Sequence, residues 1–160
     1  MIGSEKMQSL NSKIQKDAKT TILRELENLI HVPENSLLEK ELILKGNTGV
    51  VLDAFNEDDG IIVEVYPRIG KLVAEHERKV VTEIMKLLLT EKILNKEFRK
   101  IVAVCDDVVY KQLTGSSWKS LAISQFNIEV IKVNIDNTLR NTLLESQKSN
   151  GTAQKKPRWR

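Results

Sequence analysis

Apolar residues recur along the chain at two spacings, which divide it into predicted helices and strands. Over the first thirty residues the spacing is three and four, which predicts an amphipathic helix ended by Pro33; its apolar stripe is Leu10, Ile14, Ala18, Ile22, Leu26, Leu29 and Ile30. Three runs rich in β-branched residues then predict strands: ELILKG (41–46), GVVLDAF (49–55) and IIVEVY (61–66). The segment NEDDG between the last two predicts a hairpin turn.

Helical spacing returns in the second half of the chain, where it is interrupted by two further strands. A helix over residues 71–94 leads to the wholly apolar run IVAVC (101–105), which is typical of a strand buried on both faces of a sheet. The elements predicted after it are a short helix at 108–113, another at 117–126, a strand at 128–135 and a final amphipathic helix beginning at Asp136–Asn137. With the two short helices written as one segment, the predicted order is αβββαβαβα, an α/β fold with helices flanking a mixed central sheet.

The composition fits one soluble domain, which we place at residues 1–146. The chain has 160 residues, of which 41% are hydrophobic and 29% are charged, enough to form a single core. No apolar run approaches the roughly 18 residues of a membrane span, and the polar N-terminus lacks a signal-peptide core. Cys105 is the single cysteine, which excludes an internal disulfide framework and fits a reducing setting. We therefore expect a cytoplasmic protein without a membrane partner.

Two carboxylates interrupt the otherwise apolar second and third predicted strands, Asp53 in GVVLDAF and Glu64 in IIVEVY. Burying an unpaired carboxylate costs several kcal/mol, so a compensating group is expected. If the hairpin loop holds two or four residues, Asp53 lies directly across from Glu64, with Cβ atoms about 4.5–5.5 Å apart. Two like charges this close favour a cation between them, and Mg²⁺ takes carboxylate oxygens as ligands. The alternatives are a pair at a frayed strand end and an ion pair with Arg68 or Arg78.

At these residues the chain resembles the PD-(D/E)xK, or restriction-endonuclease-like, nuclease superfamily. The core of that superfamily is a helix, three antiparallel strands, a helix and a further strand, an order that residues 5–135 match. Its signature is an acid at the end of the second strand and a (D/E)-x-K tripeptide on the third. Asp53 and Glu64 stand at the two acidic positions, and the block VLDAF…IIVEVYPRIGKL…RKV…KLLL is similar to small bacterial members.

The resemblance implies a metal site for one or two Mg²⁺ ions, with Mn²⁺ as the alternative ion. Asp53, Glu64 and the carbonyl of Val65 would be its ligands. In many members a glutamate from the first helix completes the metal shell. Glu25 is the candidate here, because at 100° per residue it lies within about 60° of the apolar stripe, whereas Glu27 points nearly opposite. A surface glutamate is the alternative for Glu25.

The chain departs from the signature at Tyr66, which stands where the lysine belongs. That lysine helps to hold and deprotonate the attacking water and offsets charge on the phosphate. A tyrosine is neutral at neutral pH and cannot replace a fixed cation. Lys79, in the second predicted helix, is the candidate replacement, and Arg68 and Lys71 are the others. For Lys79 the alternative is a solvated helix lysine.

Positive charge is concentrated in residues 147–160, which we expect to form a basic, disordered tail. Five of the 25 basic residues lie from Lys148 onward. The rest of the chain has 20 basic and 22 acidic residues, so its net charge is close to neutral. The tail could contact phosphates and stack a tryptophan on a base, or it could be a solubilising end. The predicted nucleic-acid-binding residues are Arg68, Lys71, Lys155, Lys156 and Arg158.

The sequence therefore predicts a metal-dependent nuclease that hydrolyses phosphodiester bonds, with DNA favoured over RNA. A second hypothesis is a nuclease-like domain that has lost catalysis and serves as a nucleic-acid-binding or assembly subunit, which the missing lysine and the near-neutral body favour. A generic α/β domain is the third, although the chain lacks GxGxxG and GxxxxGK[ST] motifs. Each hypothesis is compatible with a homodimer or a partner protein.

Overall fold

Ten helices and strands follow one another along residues 3–154, the part of the chain that the computed structural model describes. They are α1 (Ser4–Ile30), β1 (Leu38–Lys45), β2 (Thr48–Asn56), β3 (Ile61–Tyr66), α2 (Ala74–Leu94), β4 (Arg99–Val104), α3 (Asp107–Leu113), α4 (Trp118–Gln125), β5 (Ile128–Lys132) and α5 (Asn137–Gln154). The strands form one mixed sheet, which confirms the predicted α/β class. No helix within the described range is both long enough and apolar enough to cross a membrane.

The sheet places β3 at its centre, where helices cover both faces. The strand order is β1-β2-β3-β4-β5, antiparallel from β1 to β3 and parallel from β3 to β5. Helices α1 and α5 pack on one face, and α2, α3 and α4 pack on the other. As their apolar runs predicted, β3 and β4 are buried along nearly all of their length, whereas the first half of β2 is mostly exposed.

The β2–β3 hairpin has the register that an even-numbered loop predicts. Ala54 pairs with Val63, and a four-residue loop at 57–60 joins the two strands. Continued by one position, this register places Asp53 opposite Glu64. The backbone pairing itself stops at Ala54–Val63. The two strands therefore part at the position of the two carboxylates.

A β-bulge in β2 lies at the same place. Lys40 of β1 pairs with Leu52, but the next pair is Leu38 with Phe55, so two residues of β2 oppose one of β1. Asp53 is the first of those two residues. Leu52 and Phe55 consequently pack on the same core, beneath α2, although strict alternation would put them on opposite faces. A bulge redirects the side chains beside it, and here it turns Asp53 toward β3.

The loop at 67–73, between β3 and α2, is held by two glutamine side chains that bind its main chain. Gln147 of α5 donates to the carbonyl of Ile69 at 2.9 Å and accepts from its N–H at 2.8 Å. Gln112 of α3 makes the same pair of hydrogen bonds to Leu72, both at 2.9 Å. The path of the loop is thereby fixed from two helices on opposite faces of the sheet.

Several element boundaries differ from their predicted positions: β1 begins at Leu38 instead of residue 41, and β5 ends at Lys132 instead of residue 135. Helix α2 begins at Ala74 rather than at residue 71, because Val73 is still extended and serves as the N-cap. Helix α5 continues to Gln154, so the predicted boundary between domain and tail, at residue 147, falls inside this helix. Hydrogen bonding of Gln147 to the loop at 67–73 ties the first residue of the predicted tail to the domain.

Candidate functional site

Three carboxylates converge where β2 and β3 part. They belong to Asp53 in the β-bulge, Glu64 on β3 and Glu83 on α2, and each contributes an oxygen atom within 4.8 Å of the others. Asp53 and Glu64 are both buried, and Glu83 is partly buried. The Asp53 and Glu64 carboxylates thus lie close together, as the predicted hairpin register required, and α2 adds a third acid.

The Asp53 carboxylate is fixed by one hydrogen bond to each of its oxygens. Its Oδ2 accepts from the backbone N–H of Val65 at 2.8 Å. This side-chain oxygen takes the place of a β2 backbone carbonyl, because the backbone pairing of β2 with β3 has ended at Ala54–Val63. Its Oδ1 accepts from the ammonium of Lys19, on α1, at 3.1 Å. The bulge and these two donors together hold the carboxylate against the end of β3.

Glu64 is 1% exposed, and neither of its carboxylate oxygens has a hydrogen-bond partner among the described residues. The Lys86 ammonium of α2 approaches Oε1 to 3.2 Å as an ion pair. Burial first, then contact with Glu83 and the negative charge of Asp53, raise the pKa of Glu64 to about 11. Without a further cation, this carboxyl group therefore holds a proton at neutral pH.

Lys86 is the cation nearest to the carboxylates on α2. Its Nζ lies 2.8 Å from Glu83 Oε2, one helical turn earlier, and donates to the carbonyl of Val51 at 3.0 Å. Burial by itself lowers the pKa of Lys86, but the bond to Glu83 and the charge of Glu64 outweigh it and raise the pKa overall. For Glu83, burial opposes ionisation, but its contacts with the Glu64 carboxyl group and the Lys86 ammonium lower its pKa. Lys86 and Glu83 are therefore both charged at neutral pH.

The three carboxylates fit a divalent cation. Ligand oxygens on opposite sides of one Mg²⁺ or Ca²⁺ ion lie about 4–5 Å apart, since each metal–oxygen distance is about 2.0–2.6 Å. The observed limit of 4.8 Å lies within that range. The unpartnered oxygens of Glu64 point into the same space, and a bound cation would satisfy them in place of a proton.

A polar groove of about 290 Å³ opens beside the carboxylates. Its walls come from the end of β3, the loop at 67–73, α1, α2 and α5, and its lining includes Lys19, Tyr66, Arg68, Lys79 and Glu83. Tyr66 is half-buried, and burial raises its pKa, so its phenol stays neutral. Tyr66 thus lies in the wall of the groove and supplies no charge.

Lys79, the predicted replacement for the motif lysine, lines the groove but does not contact the carboxylates. Its ammonium is exposed and lies 3.9 Å from Glu75, one turn earlier on α2. Lys86, two turns further along the same face, occupies the position predicted for Lys79. Lys19 is the second cation that the sequence-based prediction missed. The spacing of Glu83, Lys86 and Lys79 on one helix face is the sequence signal that links them.

Glu25, the predicted first-helix ligand, does not belong to the site. It is exposed on α1, whereas Glu27 is buried and accepts hydrogen bonds from the backbone N–H groups of Asn35 and Leu37. The angular prediction was wrong because it left out Leu23, which is buried and lies on the same side of the helix as Glu27, four residues later. The buried stripe is rotated toward Glu27, and α1 contributes Lys19 to the site instead of a glutamate.

The remaining predicted residues lie in different surroundings. Val65 lines the groove, and its N–H binds Asp53. Arg68 lines the groove as well, whereas Lys71 is exposed on the loop at 67–73 and does not line it. Three of the predicted nucleic-acid-binding residues lie outside the described part of the chain: Lys155, Lys156 and Arg158.

No protein-family model matches the chain, and neither the curated proteins nor the solved structures compared with it give a match.

Proposed function

We propose that the protein is a metal-dependent phosphodiesterase that hydrolyses nucleic acid. The observation that carries the proposal is the convergence of Asp53, Glu64 and Glu83 within 4.8 Å at the parting of β2 and β3, beside the ammonium of Lys86. The resemblance of VVLDAF and IIVEVY to the nuclease signature supports it, as does the polar groove that opens at the same point.

Each residue of the site has a role in this proposal. A divalent cation bound by the three carboxylates would lower the pKa of a bound water molecule and offset negative charge on the scissile phosphate. Asp53 is held in position by the Val65 N–H, so its carboxylate needs no rearrangement to act as a ligand. Lys86 would stabilise the charge that develops on the phosphate oxygens, the task of the lysine absent at Tyr66.

The lysine assignment is tested by a matched pair of variants on one helix. The wild type is incubated with supercoiled, linear and single-stranded DNA and with RNA, in Mg²⁺ or Mn²⁺, beside a Glu64→Ala control. We expect metal-dependent cleavage that Glu64→Ala abolishes. Lys86→Met should lower the rate about 10²–10³-fold, as loss of one oriented cation does, and Lys79→Met should change it only a few-fold.

Two outcomes of this assay contradict the proposal. If no substrate is cleaved in either metal, the protein is not a nuclease of this kind. If Lys79→Met causes the larger loss, the role belongs to Lys79 and not to Lys86. Metal binding is measured separately, as the rise in melting temperature on adding Mn²⁺, which Glu64→Gln should remove.

A second function, a nucleic-acid-binding or assembly subunit without catalysis, is favoured by one observation. The ammonium groups of Lys19 and Lys86 already lie within 3.2 Å of oxygens of Asp53, Glu64 and Glu83, so two positive charges offset the ionised carboxylates without a metal. Intact nucleic-acid binding, with no cleavage and no melting-temperature shift in Mn²⁺, would establish this function in place of hydrolysis.

A further inference from the structure

We propose that the groove beside the carboxylates binds a backbone phosphate of a polynucleotide through the guanidinium of Arg68. This inference rests on the proposed function for the kind of ligand, and it adds the residue that holds the strand next to the metal site. The ligand class is a phosphate diester adjacent to the one that is cleaved.

Arg68 is the first observation. Its side chain is partly buried, its Nε is buried without a hydrogen-bond partner, and no carboxylate among the described residues pairs with its guanidinium. Three of the other described arginines have acidic partners: Arg24 with Glu27 at 3.3 Å, Arg99 with Glu129 at 2.7 Å and Arg140 with Asp106 at 2.8 Å. A desolvated guanidinium without an internal acceptor costs free energy, and a bound phosphate would satisfy it.

The composition of the groove is the second observation. Arg68 shares it with Lys19 and Lys79, and Glu83 is the only acid among the described residues that line it. Its other polar lining residues are amides and a phenol: Gln15, Gln147, Asn150 and Tyr66. Cations accompanied by neutral hydrogen-bond donors are typical of a surface that contacts phosphate oxygens without selecting a base.

The extent of the polar surface favours a polynucleotide over a mononucleotide. Two further grooves, of about 650 and 470 Å³, adjoin the first one, and Lys19 lines all three. Asp53 lines the two larger grooves, so the carboxylates lie between them and the groove of Arg68. A strand that passes over the metal site would have room for phosphates on both sides of the cleaved bond.

The position of Arg68 is fixed by the main chain that carries it. Its neighbour Ile69 is held at both backbone groups by Gln147, whose side chain also lines the groove. The guanidinium is thus presented on a backbone that is already ordered, which reduces the conformational entropy lost when a ligand binds.

The test compares Arg68→Met with Lys71→Met, which removes one positive charge from the same loop outside the groove. The probe is a fluorescein-labelled 16-nucleotide DNA, single-stranded or duplex, and Ca²⁺ replaces Mg²⁺ so that binding is observed without turnover. We expect Arg68→Met to weaken binding about tenfold or more and to reduce the slope of log K against log salt by about 1. Lys71→Met should weaken binding less than about twofold. Equal losses for the two variants would overturn the proposal.

Stability separates a binding role from a structural one. Because Arg68 has no internal partner to lose, Arg68→Met should leave the melting temperature unchanged or raise it. Arg68→Lys keeps the charge and should retain the salt slope while losing part of the affinity. A fall in melting temperature that parallels the loss of binding would assign Arg68 to the fold and overturn the proposal.

Competition distinguishes the two sources of phosphate. Unlabelled oligonucleotide should displace the probe at far lower concentration than inorganic phosphate or a mononucleotide. If the mononucleotide competes as well as the oligonucleotide, the groove is a monophosphate site and the polynucleotide inference is wrong.

Failure of this inference is distinguishable from failure of the proposed hydrolysis. If the wild type cleaves no substrate but binds nucleic acid in a way that depends on Arg68, the phosphate site is supported and the nuclease proposal is wrong. If the wild type shows metal-dependent cleavage but Arg68→Met leaves nucleic-acid binding unchanged, the nuclease proposal stands and the phosphate site at Arg68 is wrong.

Discussion

Two glutamates of α1, two positions apart, differ completely in what surrounds them. Glu27 is buried, and its two oxygens accept from the backbone N–H groups of Asn35 and Leu37 at 3.0 and 2.8 Å. Arg24 donates to the Leu37 carbonyl and lies 3.3 Å from Glu27. Glu25 is exposed and makes no such contact. The buried carboxylate therefore joins the end of α1 to the start of β1 and is structural.

Replacing Glu27 should cost far more stability than replacing Glu25. Glu27→Ala leaves two backbone donors and a guanidinium without their acceptor, which should lower the free energy of unfolding by about 2–4 kcal/mol. Glu25→Ala should change it by no more than about 0.5 kcal/mol. Urea denaturation of both variants measures the difference. Comparable losses would mean that Glu27 is not the connection between α1 and β1.

Single side chains were the least predictable part of the site. The position of Lys79 was estimated from helical spacing alone, but the rotation of α2 about its axis is set by packing against the sheet. That rotation brings Lys86, two turns later, to Glu64. For α1, leaving the buried Leu23 out of the apolar stripe displaced that stripe toward Glu25. Small angular errors of this kind move a residue into or out of a site.

Helix α3 begins at a residue that also connects it to the loop at 67–73 and to α5. Asp106 is buried and caps α3 by accepting from the N–H groups of Val108 and Val109. Its oxygens also accept from the N–H of Gly70 and from the guanidinium of Arg140. One carboxylate thereby holds three elements together where β4 ends.

The stability that Asp106 contributes should disappear in acid. Burial alone would raise the pKa of this carboxyl group, but the hydrogen bonds from Gly70 and Arg140 lower it below its ordinary 3.8. Because the folded pKa is depressed, the contribution is present above pH 3.8 and is lost as the pH falls through the folded value. At pH 7, Asp106→Asn should cost about 2 kcal/mol, and the difference from wild type should shrink toward pH 2.

Urea denaturation at several pH values measures this effect, with Asp107→Asn as the control. Asp107 is the next residue, is exposed and pairs with Lys132 at the surface, so its replacement should have the smaller effect. A difference between wild type and Asp106→Asn that stays constant from pH 7 to pH 2 would contradict the assignment.

Strands and their pairing were more predictable than side-chain positions. The NEDDG loop gave the hairpin register because an even number of loop residues leaves only one face on which Asp53 and Glu64 can meet. The bulge at Asp53 could not be predicted, since Leu52, Ala54 and Phe55 are all apolar and either alternation satisfies the pattern. The third carboxylate, Glu83, lies on a helix whose packing against the sheet the sequence does not specify.

Charge is distributed unevenly over the molecule. The net charge of +3 is the sum of +5 from the five basic residues from Lys148 onward and −2 from the other 20 basic and 22 acidic residues. Long-range attraction of a polyanion would therefore come mainly from the C-terminal end, and Arg68 and Lys86 would act only at short range.

Neutralising the tail should weaken nucleic-acid binding without altering the metal site. The double variant Lys155→Gln/Lys156→Gln should bind nucleic acid with lower affinity, and the slope of log K against log salt should fall by up to about 2. The matched control is Lys40→Gln/Lys45→Gln, which removes the same charge from the edge strand β1 and should change the slope little. The melting-temperature rise on adding Mn²⁺ should be the same in both. If the two double variants bind equally well, the tail is not a nucleic-acid contact.

Because Gln147 and Gln112 hold the loop at 67–73 by its main chain, the side chains at positions 68 and 71 are free to vary. Gln147 and Gln112 bind carbonyl and N–H groups, which every residue except proline possesses, so the path of the loop does not depend on which residues occupy positions 68 and 71. A library randomised at these two positions should therefore fold with few failures. Such a library would sample new ligand preferences at position 68, in the groove, with position 71 outside the groove as an internal control, while Asp53, Glu64 and Glu83 stay in place.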